Sequence, residues 1–206
     1  MITIGLTGAT GAGKGIFAAF AVRCFNAVHI DTDAIARQVV AVGQPALAEI
    51  AQTFGKEVLK EDGSLDRAAT AAIVFADKEK LASLNRITHR HILNEAAKRM
   101  EAAKQAGKTV CILDAPLLFE SGAEKMCDVT LGIIADEAIR KERIMERDGL
   151  SEERAEERLR NAKSADYFRE RCDHVIENNA DLAAFEEKSR RFLKRLTDDK
   201  ENDIHA

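Results

Sequence analysis

The segment Gly8-Ala9-Thr10-Gly11-Ala12-Gly13-Lys14 stands directly after the apolar run Ile2–Thr7 and directly before a stretch with a helical pattern. A buried strand, a glycine-rich turn and a helix in that order leave few folds open. The glycines let main-chain N–H groups turn inward on an anion. The first helical turn adds positive potential, and Lys14 brings a full charge to the outer phosphates of a nucleotide. A glycine-rich turn that binds nothing is the plainer alternative, but spacing, lysine and context agree on nucleotide binding. The candidate contacts are Gly8, Ala9, Thr10, Gly11, Ala12, Gly13, Lys14, Gly15 and Ile16. One position departs from the motif. Ser or Thr is wanted after the lysine, as a hydroxyl ligand to Mg²⁺, and this chain has Gly15 and then Ile16. Either water takes the vacant ligand position and activity is reduced, or the nucleotide is bound and turned over poorly.

Four further apolar runs read as buried parallel strands, Ala27–Asp31, Thr109–Ala115, Asp128–Ile134 and Asp173–Glu177, with helical patterns between them. Strands alternating with helices predict an α/β protein, an open parallel sheet of five strands covered by helices on both faces. At 206 residues, with 46% hydrophobic and 32% charged residues, the chain suits one soluble domain or a core with an insert. Its net charge of −4 argues against a dedicated nucleic-acid binder. No apolar run approaches the roughly 20 residues of a membrane span. The scattered Cys24, Cys111, Cys127 and Cys172 disfavour a zinc site or a disulfide framework and suit a reducing cytoplasm. The N-terminus has no basic leader and is expected to be a strand rather than a signal peptide.

Nearly the whole stretch between the second and third strands is expected to be a helical insert, residues 34–105. Its last helix carries Leu81, Leu84 and Ile87 on one stripe and stops near Gly107. After the fourth strand, Asp136 is placed to cap a helix ending at Asp148–Gly149, and Ser151 to cap the next. That Arg- and Glu-rich segment, 137–169, is expected to be a mobile helical hairpin with little core. The remaining pieces, 1–33, 106–136 and 170–197, form the nucleotide-binding core. The polar stretch 198–206 is expected to be a disordered tail.

Ligands of open α/β sheets sit beyond the carboxyl ends of the strands. The second strand ends in Asp31-Thr32-Asp33. If it stays extended, both carboxylates point to one side, one to accept a proton from an acceptor hydroxyl and the other to hold metal water. The alternative is a pair of turn or N-cap residues before a helix. Asp114 closes the third strand, which fits a metal-side carboxylate. Asp31 and Asp114 are therefore the candidate Mg²⁺ ligands. His89 and His91 are two apart and lie on different helix faces, unlike a zinc pair.

Taken together, G-L-T-G-A-T-G-A-G-K (5–14), I-D-T-D-A-I-A-R-Q-V-V (30–40), G-x-P-A-L (43–47), the long helix with His89, D-A-P-L-L-F-E (114–120), R-x-x-x-R-D (143–148) and V-I-E-N-N (175–179) resemble the dephospho-CoA kinases over nearly the whole chain. The resemblance implies a P-loop kinase-like three-layer fold with a helical insert and a lid. It implies ATP-dependent phosphorylation of the ribose 3′-hydroxyl of dephospho-CoA, the last step of coenzyme A biosynthesis, with Mg²⁺. By the same carry-over, Asp33 is the base, Lys14 neutralises the β- and γ-phosphates, and Arg143 meets the transferring phosphoryl group. Thr7, Asp31, Arg37, His89, Pro116 and Leu117 line the acceptor side, and Asn178 lies near the adenine. The insert would cradle the CoA moiety. The expected partners are ATP and dephospho-CoA, with no nucleic acid and no membrane, on a monomer or weak homo-oligomer. Three positions depart from the family pattern: Gly15 for a hydroxyl residue, Arg90 after His89, and Ala162 for a lid glutamine. Two other readings stay open, another small-molecule kinase on this fold and a nucleotide-binding module with reduced catalysis.

Overall fold

The computed structural model describes residues 1–204. The chain runs β1 (Ile2–Gly8), α1 (Lys14–Cys24), β2 (Ala27–Asp31), α2 (Thr32–Val39), α3 (Pro45–Phe54), α4 (Arg67–Phe75), α5 (Lys78–Gln105), β3 (Val110–Asp114), β4 (Val129–Ile134), α6 (Glu137–Asp148), α7 (Glu152–Arg160), α8 (Ala165–Arg171), β5 (His174–Glu177) and α9 (Leu182–Ile204). It divides into two compact units, Met1–Ile30 with the chain from Ala102 onward, and Asp31–Glu101.

The first unit is built on the expected sheet. Five strands lie in the order β2-β3-β1-β4-β5. The pairings of β1 with β3 and β4, and of β4 with β5, are parallel. β1 is central, with Ile4 opposite Ile112 on one side and Val129 on the other. Every residue of β1 is buried, which is why the strand reads as a continuous apolar run rather than an alternating one. Phe17 and Phe20 of α1, Phe168 of α8 and Phe185 and Phe192 of α9 fill the core against Ile4, Leu6, Leu131 and Ile133. Two carboxylates pin the strands where they begin. Asp128 Oδ2 accepts from Thr3 N at 2.7 Å, and Asp173 Oδ2 accepts from Thr130 N at 2.8 Å and Thr130 Oγ1 at 2.7 Å.

The second unit is helical. Asp66 caps α4 by accepting from Ala68 N and Ala69 N, and Pro45 opens α3, where its missing N–H is not needed. Ala46, Ile50, Phe54, Val58, Val74 and Ile87 make a core of their own, flanked by Leu81 and Leu84. The long helix ends as its glycine demands. Gly107 takes φ 72°, Lys108 N bonds to Ala103 O and Gly107 N to Lys104 O, both at 3.1 Å. Those two bonds are the paired closure of a left-handed glycine cap.

Two local expectations are corrected. Neither Asp136 nor Ser151 caps its helix through its side chain. Asp136 instead trades bonds with Asn179, its N–H donating to Asn179 Oδ1 and its Oδ1 accepting from Asn179 Nδ2, both at 2.8 Å. Between α6 and α7 the Arg- and Glu-rich segment packs a small core of Ile144, Ala155 and Leu159. The tail expected to be disordered beyond Thr197 continues α9 to Ile204, because extending an existing helix needs only one hydrogen bond per added residue and no apolar face. His205 and Ala206 lie outside the described residues. Among those described, no helix is long and apolar enough to cross a membrane.

Hydrogen bonds from the Thr130 hydroxyl and then from the Thr130 N–H hold the Asp173 carboxyl below the usual carboxylate range. A depressed folded-state value means the stabilisation is complete above the unfolded value and is lost as pH falls through the folded one. Asp173→Ala should therefore lower the melting temperature at pH 7. The gap to the unsubstituted protein should narrow below about pH 4, which thermal unfolding across pH 2.5–7 reads directly.

Candidate active site

The loop from Gly8 to Gly13 joins β1 to α1 at the carboxyl end of the central strand. Ala12 N bonds to Ala9 O at 3.1 Å and closes the turn. Lys14 lies back over the loop, its Nζ donating to Gly8 O at 2.8 Å and to Ala9 O at 3.5 Å. The ammonium is thus held against main-chain carbonyls at the loop itself, where it adds to the positive end of α1.

Two elements press on this loop. A Cβ at Gly11, which has φ +79°, would stand 2.8 Å from the Arg140 carbonyl of α6 and 3.0 Å from Ile144 Cγ1. A Cβ at Gly13, with φ +109°, would collide with Asn178 Nδ2. Both positions combine a left-handed φ with a close approach, so only glycine serves. Asn178, two per cent exposed, donates Nδ2 to Ala12 O at 2.8 Å. In turn it accepts from Arg143, whose Nη1 reaches Asn178 O at 3.1 Å and Nη2 reaches Asn178 Oδ1 at 3.5 Å. A line of hydrogen bonds therefore runs from the α6 arginine through Asn178 to the phosphate-loop backbone.

The carboxylate-ended strands behave differently from one another. Asp114 closes β3, with Oδ2 3.4 Å from His29 Nε2. Asp31 closes β2 and caps α2, Oδ1 accepting from Asp33 N at 2.8 Å and Ala34 N at 3.0 Å. The strand does not stay extended to residue 33. The helix begins at Thr32, so Asp31 and Asp33 are not alternate residues of one strand, and Asp33 is an exposed side chain in the first turn of α2. Arg37 lies exposed in the last turn of the same helix. His89 is half-buried in α5, while its neighbours Arg90 and His91 both bond to Glu49 Oε2 of α3, His91 at 2.9 Å.

On the sheet unit, Thr7 is buried with Oγ1 3.5 Å from Pro116 O, and Pro116 and Leu117 are exposed beyond β3. Glu120, which ends that segment, accepts from Lys163 Nζ at 2.6 Å and Tyr167 Oη at 2.9 Å. It ties the turn after β3 to the chain returning through α8.

The residues fit a polyphosphate, since the loop presents main-chain N–H groups, Lys14 and the start of α1 together. They fit Mg²⁺ in that ion's usual manner, which calls for one or two carboxylates, several waters and the substrate's own phosphates. Asp114 is such a carboxylate. The protein adds no hydroxyl at residue 15, and among the described residues no cluster of three or more His, Cys, Asp or Glu could hold a metal unaided. A Cβ at Gly15 would meet nothing within 4 Å, so the departure there is chemical and not imposed by packing.

The loop brace by Asn178, its Arg143 partner and the Asn179–Asp136 exchange were not read from the sequence. The sequence signal was the V-I-E-N-N segment at the carboxyl end of the last strand, which marks the two asparagines but not their bonds.

A family model described as dephospho-CoA kinase matches residues 2–184. A dephospho-CoA kinase of Syntrophotalea carbinolica is 39% identical over 196 residues, 95% of this chain and 92% of that protein. One of Anaeromyxobacter dehalogenans is 42% identical over 198 residues, 95% of this chain and 92% of that protein. The solved dephospho-CoA kinase from Campylobacter jejuni is 26% identical and superposes with a TM-score of 0.67 over 96% of this chain and 98% of that one. The phosphate loop, the five-stranded sheet behind it and these relatives agree, and the chain belongs to the dephospho-CoA kinase family.

Proposed function

We propose that this chain transfers the γ-phosphoryl group of ATP to the ribose 3′-hydroxyl of dephospho-CoA, giving coenzyme A and ADP. The observation that carries the nucleotide half of the reading is the glycine loop at the end of β1, with Lys14 folded onto its carbonyls and Asn178 bonded to its backbone; the family model over residues 2–184 carries the acceptor. Phosphoryl transfer asks a protein for positioning and positive charge more than for covalent chemistry, and that is what these residues offer. The 3′-oxygen forms a bond to the γ-phosphorus, the bond from phosphorus to the β,γ-bridging oxygen breaks, and ADP departs with that electron pair. Asp33 takes the hydroxyl proton. Lys14 balances charge on the outer phosphates, and Arg143 swings from Asn178 to the phosphoryl group in flight. Asp114 and, beyond its capping bonds, Asp31 are the carboxylates for Mg²⁺, which when bound offsets negative charge on the phosphates. The main-chain groups of Gly8 to Ile16 hold the nucleotide and Asn178 also borders the adenine. By the family resemblance, Thr7, Asp31, Arg37, His89, Pro116 and Leu117 are the residues that receive the acceptor. The helical unit holds the CoA moiety, and the α6–α7 hairpin acts as a lid that keeps water from the phosphoryl group.

A coupled assay of ADP release tests the reading. ADP should appear with dephospho-CoA and Mg²⁺ and not with shikimate, gluconate or nucleoside monophosphates. Release with one of those acceptors in preference would favour another kinase, and ATP binding without release at high Mg²⁺ or Mn²⁺ would favour a binding module.

Asp33→Asn should leave dephospho-CoA binding intact and lower kcat by roughly 10²–10⁴; an unchanged kcat removes the base assignment. Gly15→Ser, which the open space at that Cβ allows, should lower the Mg²⁺ concentration needed for half-maximal rate and raise kcat. A loss or no gain argues that water is not the missing ligand. For the Arg143–Asn178 line, Arg143→Ala and Asn178→Ala should each raise KM for ATP and lower kcat. The double variant should fall short of the summed effects, as coupled neighbours do, whereas full additivity would show the bonds to be incidental.

A further inference from the structure

Arg140 is a buried cation without a counter-charge among the described residues. The residue is eight per cent exposed. Its Nε donates to Ala135 O at 3.1 Å, and its buried Nη1 has no hydrogen-bond partner among the described residues. No carboxylate among them pairs with it. Burying a charge in that way is unfavourable unless an opposite charge or hydrogen-bond partners meet it. The position makes matters worse, because Arg140 lies in the first half of α6, toward the positive end of the helix dipole. A guanidinium there is favourable only if an anion comes to it. The neighbouring feature built for an anion is the phosphate loop, and the Arg140 main chain abuts it at Gly11. The loop also lacks the hydroxyl that would bring metal charge close at residue 15.

We propose that Arg140 is a buried counter-charge for the nucleotide's phosphates, a positioning residue whose cation is balanced when a polyphosphate occupies the loop. The proposal rests on the reading that the chain binds ATP. It differs from the role given to Arg143, which is held on Asn178 and engages the transferring group. On this proposal Arg140 acts through its field rather than by contact, so its effect grows with the number of phosphates and is indifferent to the base and the sugar.

Calorimetric titration of ATP, ADP and adenosine into the whole chain tests this, with Arg140→Met and Arg140→Lys as variants. Arg140→Met should weaken ATP by at least roughly tenfold, weaken ADP less and leave adenosine unchanged. Arg140→Lys should recover most of the ATP affinity. An equal loss for all three ligands would mean a structural role only, and no loss at all would mean that the charge is not felt; either overturns the proposal. Should Arg140→Met fold poorly, ¹⁵N spectra of the arginine side chains in the unsubstituted chain decide the matter. The Arg140 Nε signal should move with ATP and stay still with adenosine, and a signal that ATP leaves unmoved overturns the proposal. An unsubstituted chain that does not bind ATP removes the functional reading together with this one. ATP bound equally by Arg140→Met and the unsubstituted chain removes this inference alone.

Discussion

The amide of Asn178 bonded to the carbonyl of Ala12 is the contact on which the arrangement of the nucleotide site depends. A phosphate loop is mostly bare main chain, and its N–H groups are useful only while they converge. In this chain the lock comes from the far end of the polypeptide. β5 must pair with β4, and β4 with β1, before Asn178 arrives under Gly13. The sheet is thereby the scaffold that brings residue 178 to residue 12. Parallel pairing across distant segments makes the site a product of the completed fold, not of a local motif.

The strands were legible because a parallel sheet buries both faces, and runs such as Ile2–Thr7 and Val129–Ile134 admit few other states. The long helix and its stop at Gly107 were legible for a related reason, a 3.6-residue apolar stripe closed by the one residue at ease with positive φ. The two aspartates at the end of β2 were visible, with an extended and a helix-capping conformation both open. Residue composition does not say whether a strand continues for two more residues, and the cap formed by Asp31 won because α2 begins at once. For Asn178 and Asn179 the segment V-I-E-N-N marked the positions but not the bonds they make. Their partners lie 166 and 43 residues away, and a side chain's partner across the fold is set by packing that no window of sequence contains. The family's ordered segments, by contrast, point to the acceptor and the reaction, which the geometry of one loop does not distinguish from those of other kinases.

Charge is distributed around the loop in a way that suits its missing hydroxyl. Lys14 is held against the loop's own carbonyls, Arg143 waits on Asn178, and Arg140 sits buried beside Gly11. Gly15 contributes neither oxygen nor bulk at the start of α1. The α6 helix carries both arginines and also touches the loop main chain at Gly11, so the α6–α7 hairpin and the loop meet through one element.

Asparagine at residue 178 is a narrow choice. The carboxylate nearest to it in size differs by a single exchange, an NH₂ group for an oxygen. That exchange would set two acceptors face to face at Ala12 and place a negative charge beneath a seat meant for anions. Spontaneous deamidation, the slow hydrolysis that ages many proteins, would make the same change. Burial and two occupied ends keep this side chain out of reach of that chemistry, so the brace that shapes the loop also protects its own amide from wear.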